Sequence, residues 1–136
     1  MADKLLSEQK ESARTLKRLR GRVLEQEAQE LIRDSEGPVL LVRFEERTAH
    51  EVRQLALEII RNPGHVVLFG LQSGERAQVV LARSRDVDLD MRDLIPVISP
   101  LLNARGGGRE SLVELAGDRP EALTQALDTA RQHLNL

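Results

Sequence analysis

The sequence predicts an α/β protein: a long N-terminal helix followed by a small mixed-sheet α/β domain with helices packed on the sheet. Three observations predict it. Residues 3–34 carry no proline and a narrow leucine stripe. Two apolar runs, Val39–Phe44 and His65–Phe69, flank a segment with helical periodicity. A Gly-rich run then precedes a short apolar strand and a last amphipathic segment. Alternation of this kind builds one layered α/β core.

The first helix is expected from good helix formers, with Gly21 its only glycine. Its stripe comprises Leu5, Leu6, Ala13, Leu16, Leu19, Val23, Leu24, Ala28, Leu31 and Ile32, close to 3.5-residue spacing. Such a helix is roughly 45 Å long, more than a small domain covers, so part of the stripe needs a second helix. Its polar face is uneven. Lys10, Arg14, Arg18 and Arg22 recur every fourth residue, joined by Lys17 and Arg20, and Glu25, Glu27 and Glu30 then reverse the sign. A basic ladder on a projecting helix suits a phosphate backbone. The bland alternative is a solvated coiled-coil face.

Ser35-Glu36-Gly37-Pro38 ends this helix. Val39–Phe44 reads as a buried strand, and Thr48 with Glu51 forms a capping box for a helix over 48–61. Asn62-Pro63-Gly64 stops it, and a second strand covers 66–71. Strand, helix and strand make a βαβ unit, expected to be parallel and right-handed. Ser73-Gly74 turns the chain into an antiparallel strand at 76–82, and Gly70 marks a bulge or a close backbone approach. Met91, Leu94, Ile95, Ile98, Leu101 and Leu102 keep helical spacing, but Pro96 and Pro100 predict a kinked or two-part helix over 90–103. A fourth strand is expected at 111–116. The last helix is expected over 119–134, with Asp118 as its cap.

Three of the nine glycines stand together in Arg105-Gly106-Gly107-Gly108-Arg109. A Gly triplet costs backbone entropy and signals unusual φ/ψ or close approach. As a loop, its successive N–H groups would form an anion-binding concavity flanked by bidentate arginines. The alternative is a tight connection from helix to strand.

Composition narrows the function classes. Apolar residues make up 40%, enough for one core, but aromatics only 1%, Phe44 and Phe69. That argues against an aromatic base-stacking platform. The absence of Cys excludes disulfides and thiolate metal sites. Net charge is −2, so any basic patch is local. No apolar run reaches the about 18 residues of a membrane span, and nothing resembles a signal peptide. The expectation is a cytoplasmic protein with no membrane partner. His50, His65 and His133 fall in different elements, and no nucleophile elbow or Walker loop is present. No metal or cofactor is expected.

The order of elements, with Ala104–Arg109, Leu112–Gly117 and Arg119-Pro120-Glu121-Ala122-Leu123, resembles the C-terminal domain of alanyl-tRNA synthetases and of long alanyl-tRNA editing proteins. It is also similar to the accessory domain of DHH-type phosphoesterases. Residues 1–35 would be the helical linker or dimerisation helix and 36–136 the globular module. Two departures stand out: Arg105 lies near the family's Lys position, and Glu110 replaces its Pro. The resemblance implies a non-catalytic module that binds tRNA or other nucleic acid. Arg105, Gly106, Gly107, Gly108 and Arg109, with Lys10, Arg14, Lys17, Arg18 and Arg22, would be the contact residues. It further implies a contribution to dimerisation in some members and a longer parent whose preceding domains are missing; with the leucine stripe, the expectation is a homodimer through the N-terminal helix. The alternatives are a structural dimerisation domain with little nucleic-acid affinity, and a substrate-binding accessory of a phosphoesterase.

Overall fold

A computed structural model describes residues 2–136, with side chains described for 13–136. The side chains of Leu5, Leu6 and Lys10, which belong to the expected stripe and basic ladder, therefore lie outside the described residues. The chain runs as α1 (Ala2–Asp34), β1 (Val39–Phe44), α2 (Ala49–Ile60), β2 (Val66–Ser73), β3 (Arg76–Arg83), a 3-10 turn (Met91–Leu94), α3 (Ile95–Leu102), β4 (Arg105–Arg109), β5 (Leu112–Gly117), a second 3-10 turn (Pro120–Ala122) and α4 (Leu123–Leu134).

The strands form one mixed sheet of five, in the order β1-β2-β3-β5-β4. β1 pairs parallel to β2, Val39 opposite Val66, as a βαβ unit requires. The remaining pairs are antiparallel. The sheet has one strand more than the sequence predicts, because the Gly-rich run is itself a strand. Arginine and glycine have little strand preference of their own; the partner β5 supplies the reason for pairing.

Both faces of the sheet are covered. On one, Val66, Leu68, Val79, Leu81, Val113 and Leu115 pack with α3 and α4. On the other, Leu40, Phe44, Val67, Phe69 and Val80 pack with Val52, Leu55, Ala56 and Ile59 of α2. The last turns of α1 close this second core. Ala28 is fully buried, and Leu24, Leu31 and Ile32 lie half-buried against it. Glu27 pairs with Arg47 at 2.5 Å, and Arg47 stacks 5.0 Å from the Phe44 ring centre.

Thr48 caps α2, accepting from the Glu51 N–H at 3.1 Å. Its hydroxyl lies 3.2 Å from the Glu51 carboxylate and donates to it. Met91–Leu102 is two-part, a 3-10 turn leading into α3, with Pro100 in the final turn. Gly70 is a close approach and not a bulge, since pairing runs unbroken on both sides. A Cβ there would stand 2.8 Å from the Leu127 Cδ1. Asp118 does not cap the last helix. A 3-10 turn intervenes and α4 starts after Ala122 without a side-chain cap. Asp118 instead accepts from the Asn103 amide at 3.1 Å.

Candidate nucleic-acid interface

The start of β4 is set by the junction of α3 with β5. Asn103 takes a left-handed conformation, φ 50°, and ends α3. Gly117 lies so close to α3 that a Cβ would meet the Leu102 carbonyl oxygen at 2.1 Å. The Asp118 N–H donates to that same carbonyl at 3.1 Å. The chain then leaves as β4, turns at Glu110-Ser111 and returns as β5.

All five residues of β4 are exposed, and the strand forms one edge of the sheet. An anion-binding loop of consecutive N–H groups is therefore absent. In an extended edge strand, successive backbone groups point alternately toward the neighbour and toward solvent. The glycines serve the pairing unequally. Gly106 has φ 151°, and a Cβ on it would lie 2.1 Å from the Glu114 carbonyl oxygen. A Cβ on Gly108 would lie 2.1 Å from that of Leu112. At Gly107 a Cβ would meet nothing within 4 Å.

Register places the two arginines. Arg105 stands opposite Ala116, Gly107 opposite Glu114 and Arg109 opposite Leu112. Directly paired residues share a face, here the α2 face: Leu112 packs in the α2 core, and Glu114 pairs with Arg53 of α2 at 3.2 Å. Arg105, Gly107 and Arg109 thus form one cationic row with an unobstructed centre. Along a strand the arginine Cα atoms lie about 13 Å apart.

Arg109 also borders an open basin of about 850 Å³. The end of α2 contributes Leu57, Ile60 and Arg61; the end of β3 and the turn after it contribute Arg83 and Arg85. Arg92 and the hairpin tip from Gly108 to Ser111 complete it. Arg105 lies outside this lining. Arg61 pairs with Glu58 at 3.3 Å and Arg92 with Asp90 at 2.8 Å. The Arg92 hydrogen bond holds the Asp90 carboxyl below its usual range and raises the Arg92 guanidinium. Arg83 donates to the Leu89 carbonyl and to that of Ser84. Among the described residues, Arg85 and Arg109 have no acidic partner within 4.0 Å.

Sequence reasoning missed Arg61, Arg83, Arg85 and Arg92. They belong to different elements, and no local motif joins them. The one global sign is that every Lys or Arg position after Lys17 is an arginine. Arg14, Lys17, Arg18 and Arg22 are exposed on α1 and are not part of the basin. His50 is exposed, and no group of three His, Cys, Asp or Glu among the described residues could hold a metal ion. No described helix is long and apolar enough to cross a membrane.

The fold is similar to that of the C-Ala domain of Aquifex aeolicus alanyl-tRNA synthetase. That domain superposes with a TM-score of 0.65 at 23% identity, over 72% of this chain and 91% of the domain. Thermus thermophilus RecJ in complex with Mg2+ shares the fold, with a TM-score of 0.61 at 18% identity, over 85% of this chain and 18% of RecJ. In sequence the chain is similar to alanine–tRNA ligases over nearly its whole length. That of Alkaliphilus metalliredigens is 25% identical over 137 residues, 95% of this chain, and that of Methanoregula boonei 28% identical over 133 residues, 96% of this chain. The chain spans only 16% and 14% of those two proteins. No protein-family model matches it.

Proposed function

We propose that this chain is a non-catalytic tRNA-binding module of an alanyl-tRNA synthetase or an alanyl-tRNA editing protein. Residues 1–35 act as its helical linker, residues 36–136 as its binding domain, and the protein works in the cytoplasm. The observation that carries this reading is the exposed β4 row. Arg105 and Arg109 share one face, Gly107 leaves the space between them open, and the Arg-lined basin continues from Arg109. Arginine suits phosphate because its planar fork donates two parallel hydrogen bonds. The basic residues of α1, Arg14, Lys17, Arg18 and Arg22, with Lys10, add a second contact surface along the helix. Similarity to alanine–tRNA ligases makes tRNA the favoured ligand.

A second reading has one observation in its favour. Leu16, Leu19 and Val23 are 53%, 50% and 64% exposed on α1. Exposed apolar stripes mark interaction sites, so the helix would pair with a second copy.

The test is binding of tRNA and of single-stranded DNA of equal length across a salt titration. The reading expects tRNA to bind more tightly at every salt concentration, with log affinity falling linearly in log salt. Equal affinity for both ligands would favour a general phosphate contact, as in the alternative of a substrate-binding accessory of a phosphoesterase. No binding of either would leave the dimerisation reading.

A further inference from the structure

The tip of the β4–β5 hairpin places a carboxylate inside the arginine basin. The Glu110 carbonyl accepts from the Met91 N–H at 2.8 Å, and the Ser111 carbonyl from the Arg83 N–H at 3.1 Å. These bonds fix the backbone of the tip. The Glu110 side chain then reaches Arg83 and Arg92, each at 3.6 Å. Both distances exceed the about 2.7–2.9 Å of a charge-assisted hydrogen bond. Glu110 remains 64% exposed and makes no side-chain hydrogen bond among the described residues. It bridges two guanidiniums without being held by either.

The neighbouring arginine is positioned just as firmly. The buried Ser84 hydroxyl accepts from the His65 N–H at 2.9 Å and donates to the Asn62 carbonyl. Asp86 accepts from the Gly64 N–H at 2.9 Å. Arg85 sits between these two anchors with an exposed side chain that has no acidic partner. The basin thus combines cations on fixed backbone, a weakly held anion, and an apolar wall from Leu57 and Ile60.

We propose that Glu110 occupies a phosphate subsite in the free protein and is displaced when a phosphate group of the nucleic acid enters. The incoming group takes the place of Glu110 against the Nη2 groups of Arg83 and Arg92, whose other contacts to the Leu89 and Ser84 carbonyls and to Asp90 hold them in position, and gains Arg85 and Arg109. Glu110 swings into solvent, where its carboxylate, already 64% exposed, gives up little. Glu110 thereby lowers affinity in the resting state and keeps the arginines from holding stray anions. This rests on the nucleic-acid reading above and adds a defined anion site to it.

The experiment is a double-mutant cycle on tRNA binding. Glu110→Gln should bind about two- to fivefold tighter than the parent, the range expected from removing an exposed ion pair. Glu121→Gln, on the exposed turn before α4, controls for loss of one negative charge anywhere on the surface. In an Arg92→Ala background the gain from Glu110→Gln should shrink, because coupled residues are not additive. Melting temperatures establish that each variant is folded. A gain no larger than that of Glu121→Gln, or one that persists in full without Arg92, overturns the proposal while leaving tRNA binding intact. If the parent binds no tRNA, the nucleic-acid reading fails, and pyrophosphate decides the subsite alone. Amide shifts at Gly108, Glu110 and Ser111 that saturate at lower pyrophosphate in Glu110→Gln retain it; no shift at these residues overturns it.

Discussion

Gly106, Gly107 and Gly108 look identical in sequence and have different physical duties. Gly106 combines a positive φ with contact to the β5 backbone, and Gly108 has the same contact without the positive φ. Alanine at Gly106 is expected to cost about 1–3 kcal/mol for the strained conformation, with the steric clash in addition. Alanine at Gly108 should likewise open the hairpin. Gly107→Ala should change stability by less than about 0.5 kcal/mol, as an exposed substitution away from any contact does. Thermal melting of the three variants checks this ordering. A Gly107→Ala protein as unstable as Gly106→Ala would contradict the β4–β5 register. The triplet was legible in the sequence as an unusual backbone. The division of labour was not, because it depends on carbonyls of a strand that lies after it in the chain.

Among the elements, those with strong periodicity were legible. Val39–Val42 and Val66–Phe69 are continuous apolar runs because helices cover both of their faces. The cap at Thr48 and the interruption before α3 followed from local chemistry. β4 was missed because arginine and glycine carry no strand signal, and Asp118 was misassigned because an adjoining α3 terminus competes for its carboxylate. α1 divides into two parts. Its stripe from Leu24 to Ile32 is covered by α2, whereas Leu16, Leu19 and Val23 remain exposed. If that exposed stripe pairs with a second copy, Leu16→Glu with Leu19→Glu should shift the protein from dimer to monomer in sedimentation at micromolar concentration. The domain should keep its melting transition, since neither residue touches the core. A parent protein that sediments as a monomer throughout the same range would contradict pairing through α1.

At the scale of the whole molecule, net charge and local charge diverge. The chain carries −2 overall, yet its cations gather along the β4 edge, around the adjoining basin and on the exposed face of α1. Composition could not reveal this, because the basin draws Arg61, Arg83, Arg85, Arg92 and Arg109 from α2, β3, the turns and β4. The sheet order, with β5 inserted between β3 and β4, brings the hairpin tip against the start of the 3-10 turn at Met91. The central claim is that nucleic acid is held by this cationic edge. Its most direct measurement is the salt dependence of tRNA affinity for the parent and for Arg105→Ala with Arg109→Ala. Removing each phosphate-binding arginine should reduce the magnitude of the log–log slope by about 0.7–0.9, with affinity falling similarly for unrelated RNA sequences and the melting temperature unchanged. A folded double variant with the parent's affinity and slope would contradict the claim and leave Arg83, Arg85 and Arg92 of the basin and the basic residues of α1 as the contact surfaces.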